Sequence, residues 1–395
     1  MTFDVAALRS HFPSLAEGAA HFDGPGGSQV PTPVGEAVAG CLTSGISNRG
    51  TVTRAEQRAD RVVREARAAL GDFIGTDPRG VVFGRSMTAL TYDLSRAMAK
   101  TWQAGDEVVV TRLDHDANVR PWVQAAQAVG ATVRWLDFDP ETGELDPLEP
   151  LLSERTRLLA VTAASNLIGT MPDVRALADQ AHAAGALVAV DAVHYAAHML
   201  VDRLALGADV LTCSPYKFLG PHCGVLTADP ALLETLHPDK LLPSSDAVPE
   251  RFELGTLPYE LLAGATAAVD FIAAVGGGPG LGRRGALSAS WAAIGEHEDG
   301  LRARIEAGLL EMGATVYSRA ARRTPTLLAS FDRHDSTDVR KRLAEAGVNA
   351  PAGCFYAVEA SRRLGLGDGG AVRLGVAPYN DDDDVDRLLA ALGAL

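Results

Sequence analysis

Short apolar runs alternate with amphipathic stretches along most of this chain. The runs predict seven strands, at 81–83, 107–110, 132–136, 157–163, 186–191, 209–214 and 224–229. Their near-continuous apolar character favours strands that are covered on both faces, as in a parallel sheet. The stretches 88–100 and 173–185 predict helices between these strands, the second with Asp173 as N-cap and Gly185 as C-cap. Strands that alternate with helices indicate an α/β fold.

The pattern changes after the glycine-rich segment 276–280. Beyond it the sequence predicts a long helix, a strand, a helix, a strand and a last helix, at 281–312, 326–331, 336–347, 372–376 and 381–392. The Asp run 381–384 is typical of charge at a helix N-terminus, and GLGDGG (365–370) is interpreted as a loop. We therefore expect a mostly parallel sheet in a large domain at 21–280 and a smaller α+β C-terminal domain at 281–395. Residues 1–20 are expected to pack with the small domain.

Composition narrows the partners and the compartment. The chain has 36 basic and 50 acidic residues and a net charge of −14, which disfavours binding to nucleic acid or to an anionic membrane surface. We expect no signal peptide at the amino end, and no membrane span in 261–278 because Asp270 interrupts that apolar stretch. The cysteines form no CxxC pair, so we expect a reducing cytoplasm. They are Cys41, Cys213, Cys223 and Cys354.

The strongest chemical signal is the segment LTCSPYKFLGPHCG (211–224), which carries Lys217. A lysine after a strand in a Gly/Pro-rich segment is often only a solvated surface group. Here Ser214 lies three residues before it, and an upstream apolar strand ends on Asp191. Ligands bind at the carboxyl ends of parallel strands. An amine that forms imines needs surroundings that favour its neutral form.

Three motifs, AVDAVH, SPYKFLGP and RLGVAPYN…DDVDRL, together resemble the class V aminotransferases, most closely their cysteine-desulfurase-like branch. The resemblance runs from about Phe22 to Leu389. It implies the pyridoxal-phosphate (PLP) transferase fold of the aspartate-aminotransferase type, with 21–280 as the PLP-binding domain. It also implies an amino-acid substrate bound as an external aldimine, and a homodimer with shared active sites.

The resemblance assigns a role to each matching residue around the cofactor ring. Lys217 would hold PLP as a Schiff base and move the substrate's α-proton. Asp191 would pair with the pyridine nitrogen and make the ring a stronger electron sink. His115 would stack on the ring, while Asn166 and His194 would lie beside its phenolic oxygen. His194 stands where the close desulfurases usually carry glutamine.

The resemblance also implies phosphate-binding and substrate-binding residues. The phosphate would lie at a strand–helix junction, where backbone N–H groups suit an anion. Its expected ligands are Ser86, Met87, Thr88, Ser214, Tyr216 and, from the partner subunit, Thr256. The expected substrate-binding residues are Arg373, for the carboxylate, together with Gly27 and Asn48. No metal is expected, because His194 and His198 lie at i,i+4 without a third ligand.

The reaction depends on whether a cysteine of this chain can accept sulfur from the substrate. Desulfurases accept sulfur on a cysteine thiolate, and here the corresponding segment contains Cys354 within AGCFYA. The simplest alignment puts Tyr356 rather than Cys354 at the sulfur-accepting position. We expect a desulfurase-like lyase that performs C–S or other β- or γ-elimination. An aminotransferase or amino-acid epimerase on the same cofactor, and a catalytically silent PLP-binding protein, remain as alternatives.

Overall fold

The computed structural model describes residues 3–278 and 280–395, so Met1 and Thr2 of the predicted N-terminal segment and Pro279 at the expected domain boundary lie outside the described residues. The helices are α1 (Val5–Arg9), α2 (Thr32–Thr43), α3 (Arg54–Ile74), α4 (Met87–Ala99), α5 (Arg120–Ala128), α6 (Val174–Ala183), α7 (Pro230–Thr235), α8 (Tyr259–Gly276), α9 (Arg283–Glu311), α10 (Ser336–Glu345), α11 (Val358–Arg363) and α12 (Asp382–Gly393). The strands are β1 (Ala20–His21), β2 (Val81–Gly84), β3 (Glu107–Thr111), β4 (Thr132–Leu136), β5 (Thr156–Thr162), β6 (Leu187–Asp191), β7 (Val210–Cys213), β8 (Gly224–Ala228), β9 (Thr315–Val316), β10 (Thr326–Ser330), β11 (Val348–Asn349), β12 (Ala352–Gly353) and β13 (Ala371–Gly375).

A seven-stranded sheet in the order β2-β8-β7-β6-β5-β3-β4 forms the centre of the larger lobe. β8 runs antiparallel to both of its neighbours, and the other adjacent pairs are parallel. Each of the seven strands predicted from apolar runs is present, so the prediction of a mostly parallel α/β sheet is confirmed.

Burial on both faces of this sheet explains its apolar strands. In β3, Val109 belongs to the core under one face, whereas Val108 and Val110 belong to the core under the other. All three are fully buried. β4 differs because it is an edge strand, and its residues alternate between exposed and half-buried before the buried Leu136.

The smaller lobe contains an antiparallel sheet in the order β12-β13-β10-β9, with its own apolar core against α9, α10 and α12. The Asp run lies where the sequence predicted, since Asp381 caps α12. The N-terminal segment contacts both lobes, because Arg9 pairs with Asp381 and Asp384 while Leu8 packs into the core of the large sheet. The division at 20/21 and 280/281 stays a prediction.

Among the described helices, α8 is long and apolar enough to cross a membrane by length and composition, in spite of Asp270. Half of it is buried inside the fold, and it packs against α2, α3 and α9. The burial identifies it as a core helix of the large lobe.

Candidate active site

Five loops meet at one edge of the large sheet and enclose a cavity of about 630 Å³. They follow the carboxyl ends of β2, β3, β5, β6 and β7, which point to the same edge, where α/β sheets bind ligands. The volume lies within the usual range for a small-molecule site. The predicted residues that line it are Ser86, Met87, Thr88, His115, Asn166, Asp191, His194, Ser214, Tyr216, Lys217 and Arg373.

The amine of Lys217 is held in place inside this cavity. Its Nζ donates a hydrogen bond to the carbonyl oxygen of Pro25 and lies 4.8 Å from the ring centroid of Tyr216. Burial lowers the pKa of Lys217 from 10.5 to about 7, with a further lowering by the cation of Arg373. The carboxylate of Asp191 opposes this shift. At neutral pH a large share of the amine is therefore neutral and able to act as a nucleophile or base.

Asp191 ends β6 and presents a buried carboxyl group to the same cavity. The backbone N–H of Val193 donates to its Oδ1 at 2.8 Å. Burial raises its pKa to about 6, against the opposing effect of that hydrogen bond and of Lys217. A buried carboxyl of this kind favours a ligand that brings a cationic N–H group to it.

Two histidines line the cavity as neutral rings. Burial, Lys217 and Arg373 lower the pKa of His115 to about 4. Its Nδ1 accepts from the backbone N–H of Ala117 at 3.0 Å, which leaves the ring hydrogen on Nε2. Burial also lowers the pKa of His194 well below its ordinary value of 6.5. The Nε2 of His194 lies 2.9 Å from the hydroxyl of Thr324 in the small lobe.

The amino end of α4 forms an anion-binding corner. Ser86 caps this helix, since its Oγ accepts from the N–H of Ala89 at 3.1 Å. The first turn of any α-helix has N–H groups without intrahelical partners, and Met87 and Thr88 supply them here. Gly224 of β8 passes so close that a Cβ there would lie 2.4 Å from the nitrogen of Met87. Only glycine fits at that point.

Arg373 in β13 brings a buried cation to the cavity. It is 2% exposed, and one terminal nitrogen donates to the backbone oxygen of Asn166 at 2.8 Å. Its guanidinium lies 3.7 Å from the ring centroid of Phe355. Burial lowers its pKa to about 9. A buried guanidinium with few partners is suited to a carboxylate.

Unsatisfied polar atoms indicate that this cavity holds a polar ligand. Among the described residues, Asn166 Oδ1, His194 Nδ1 and Arg373 Nε are buried without a hydrogen-bond partner. Such groups are rare in native proteins unless a ligand or water satisfies them. The donor set also fits PLP, since α4 suits its phosphate, Asp191 its ring nitrogen and the amine of Lys217 its carbonyl carbon.

Four of the predicted residues do not line the cavity. Cys354 is half-buried outside the lining, while its successors Phe355 and Tyr356 line it because their left-handed backbone, with φ of 51° and 60°, turns the chain there. Asn48 and Thr256 are exposed, and Gly27 lies against the Tyr216 ring.

The structure adds lining residues that the sequence did not single out, among them Pro25, Tyr92, Asp116, Arg120 and Phe355. Asp116 and Arg120 follow His115 closely in sequence, so their proximity could have been inferred from the motif. The described residues contain no group of three or more His, Cys, Asp or Glu placed to hold a metal ion.

Comparison with known proteins gives one consistent family. The family model described as aminotransferase class-V matches residues 20–388. An uncharacterized protein of Mycobacterium tuberculosis is 34% identical over the full length of both chains. A probable cysteine desulfurase of Pseudomonas aeruginosa is 31% identical, with 97% of this chain and 96% of that protein covered.

A solved structure agrees with these matches. The cysteine desulfurase CsdA of Escherichia coli superimposes with a TM-score of 0.87 and 26% identity, covering 100% of this chain and 98% of that one. The fold, the site and the matches lead to the same conclusion. The chain belongs to the class-V aminotransferase family, and it is a PLP-dependent enzyme with the fold of these transferases.

Proposed function

We propose that this enzyme is a desulfurase-like lyase that removes a β- or γ-substituent, foremost a sulfur substituent, from an amino acid without accepting the sulfur on Cys354. The observation that carries the proposal is the cavity lining. It combines an amine of lowered pKa, Lys217, with a buried carboxylate-binding cation, Arg373. At the position that the resemblance to desulfurases gives to the sulfur-accepting cysteine, this chain has Tyr356, which lines the cavity.

Each of the main cavity residues has a separate role in this proposal. Arg373 would bind the substrate carboxylate, and Lys217 would take the α-proton in its neutral form, which its pKa of about 7 makes available. Asp191 would hold a proton on the cofactor's ring nitrogen. PLP, when bound, supplies an electron sink for the electron pair left on the α-carbon. His115 and Asn166 would hold the cofactor's orientation, and the N–H groups of α4 its phosphate.

The proton and the leaving group must both be accounted for. In β-elimination, once the α-proton is on Lys217, the substituent on the β-carbon leaves with its bonding electrons and takes up a proton. For an S-substituted L-cysteine, one water is consumed overall, and the thiol, pyruvate and ammonium are released in equal amounts. No oxidant, reductant or protein thiol enters this balance.

The test is a screen of L-cysteine, S-substituted cysteines and other L-amino acids, with thiol or sulfide, keto acid and ammonium measured separately. We expect release by the wild-type protein and by Cys354→Ala to agree within about twofold, since a thiol outside the cavity makes no contact with the substrate. Cys41→Ala is the matched control, because Cys41 is also half-buried and lies in α2. Lys217→Ala should release nothing.

Other outcomes would replace the proposal. Loss of sulfide release in Cys354→Ala, with a persulfide on the Cys354 peptide of the wild type, would establish desulfuration through that thiol. Transfer of the amine to an added keto acid would establish an aminotransferase. Exchange of the α-proton with solvent and loss of chirality, without other products, would establish an epimerase. Cofactor binding without any turnover would indicate a silent PLP-binding protein.

The same proposal includes a homodimer with shared active sites. Thr256 would reach the phosphate of the neighbouring subunit, which agrees with its exposure in its own chain. The exposed apolar side chains Leu241, Leu242 and Leu254 precede it in sequence and would be covered by a second copy. The four unpaired cysteines support a reducing compartment, the cytoplasm.

A further inference from the structure

The loop 353–356 beside the cavity has an unusual backbone. Phe355 and Tyr356 have φ values of 51° and 60°, in the left-handed region that aromatic residues rarely adopt. Among the described residues, the other non-glycine residue with positive φ is Leu219, two positions after Lys217. All three residues therefore lie in loops that form this site. Strained conformations of this kind persist only where the surrounding structure imposes them, and they cluster at functional sites.

Hydrogen bonds to two backbone carbonyl oxygens impose the conformation of this loop. The side-chain amide of Asn166 donates to the carbonyl oxygen of Phe355 at 3.0 Å. The backbone N–H of Asp116 donates to the carbonyl oxygen of Tyr356 at 2.8 Å. Both donors come from loops of the large sheet, so the small-lobe loop is fastened across the cavity at two successive residues.

The segments around the loop restrain it further. Glu359, in the helix that follows, pairs with Arg112 at 2.9 Å and with Arg120 at 2.5 Å. Gly370 packs under the start of the loop so closely that a Cβ there would lie 2.0 Å from the carbonyl oxygen of Gly353. The backbone of the loop is therefore held from three sides, although the Tyr356 side chain is itself exposed.

Each aromatic ring of the loop lies against one functional side chain. The ring centroid of Phe355 is 3.7 Å from the Arg373 guanidinium carbon. The ring of Tyr356 stacks on that of His115, with centroids 5.5 Å apart and planes 29° apart. Arg373 is otherwise held at one terminal nitrogen by Asn166, and His115 at Nδ1 by Ala117. Each polar contact fixes one edge of a planar group, so the aromatic face is what fixes its plane.

We propose that Phe355 and Tyr356 are positioning residues, Phe355 for the guanidinium of Arg373 and Tyr356 for the imidazole of His115. One strained loop thereby sets the geometry of the carboxylate-binding cation and of the cofactor-facing ring together. The inference rests on the roles given to Arg373 and His115 in the proposed function. It adds that these roles depend on two aromatic faces, one against each planar group.

A pair of carbonyl reagents tests the Phe355 half without any turnover. Aminooxyacetate carries a carboxylate and O-methylhydroxylamine does not, so the ratio of their rates of reaction with the bound cofactor measures recognition by Arg373. Phe355→Asn and Phe355→Gly remove the ring, and both residues tolerate positive φ. We expect each to lower the rate ratio about tenfold, as for loss of a buried cation–π contact, while Phe355→Tyr keeps it.

The positioning of His115 by Tyr356 is tested by the circular dichroism of the bound cofactor in its visible absorption band. We expect Tyr356→Asn and Tyr356→Gly to change this signal, because the His115 ring is no longer fixed, and Tyr356→Phe to leave it unchanged. Thermal unfolding of each variant shows whether it is folded. If one ring-removing variant does not fold, the other is used in its place.

The role of Arg373 and the positioning roles of Phe355 and Tyr356 can be refuted separately. A wild-type protein that reacts with both reagents at rates differing only by their intrinsic reactivity would overturn the role of Arg373, and the positioning inference with it. A wild-type preference for aminooxyacetate that survives in folded Phe355→Asn and Phe355→Gly would overturn the inference alone. An unchanged circular dichroism signal of the cofactor in folded Tyr356→Asn and Tyr356→Gly would overturn the inference that Tyr356 positions His115.

Discussion

The lowered pKa of Lys217 can be measured directly in the cofactor-free protein. Burial is its main cause, followed by the cation of Arg373, and together they bring the pKa from 10.5 to about 7. The neutral amine is the reactive form, and it is present above the pKa. Reactivity of Lys217 should therefore rise through neutral pH and level off where an ordinary lysine has barely begun to react.

The size of the effect follows from the two pKa values. At about pH 8, an amine with a pKa of about 7 is about 90% neutral, whereas one at 10.5 is about 0.3% neutral. The neutral form of Lys217 is therefore enriched about 300-fold over that of an unperturbed lysine at the same pH. Restricted access to the cavity would lower the labelling rate of Lys217 at every pH, but it would leave the midpoint of the pH profile unchanged.

The assay is competitive labelling with a small acylating reagent, followed by mass spectrometry of the peptides. The chain has four lysines, Lys100, Lys217, Lys240 and Lys341, so each can be followed separately. Lys341 is the matched reference, since it is exposed and Asp338 raises its pKa. We expect a midpoint near 7 for Lys217 and continued rise above about pH 10 for Lys341.

Two variants test the causes of the shift. Arg373→Gln should move the Lys217 midpoint upward, because it removes a neighbouring positive charge. Asp191→Asn should move it downward, because it removes a negative one. A Lys217 profile that coincides with that of Lys341 in the wild-type protein would refute the reasoning, and with it the claim that burial prepares this amine.

Two further variants probe the cofactor contacts. Asp191→Asn should keep the cofactor but lower kcat at least about a hundredfold, because the ring nitrogen loses the carboxylate that keeps it protonated; near wild-type turnover at full cofactor occupancy would contradict the assignment. Gly224→Ala should weaken PLP binding about tenfold or more by displacing Ser86 and Met87 at the amino end of α4. Titration with pyridoxal, which lacks the phosphate, should show a smaller loss. Gly300→Ala is the matched control, since a Cβ there meets nothing within 4 Å, and an equal loss in both variants would argue against the phosphate site.

The large sheet was predictable because its strands are buried on both faces. A run such as RLLAVTA leaves no polar face, and it forms β5 at Thr156–Thr162, within one residue of the prediction. Strand direction was less accessible. β8 runs against its neighbours because the chain returns through the Lys217 loop, from Cys213 to Gly224, without a crossover helix.

The central residues of the site could be found because each follows a recognisable strand. Asp191 and Lys217 belong to short motifs in which neighbouring residues restrict the interpretation, and both line the cavity. Phe355 is a site residue that the sequence did not predict. Its left-handed backbone depends on the approach of Asn166, a large-lobe residue distant in sequence that hydrogen-bonds its carbonyl oxygen. Neither hydrophobic periodicity nor spacing records such an approach, and the carbonyl of Pro25 at Lys217 was missed for the same reason.

The central claim is that this cavity binds PLP through the amine of Lys217. Reduction of the cofactor-loaded protein with borohydride makes the attachment permanent, and digestion followed by mass spectrometry locates it. We predict the added mass of the reduced cofactor on the peptide that contains Lys217, and none in Lys217→Arg. The claim would be contradicted if the added mass were on a peptide that contains Lys100, Lys240 or Lys341. It would also be contradicted if no peptide carried the added mass although the protein retains the cofactor.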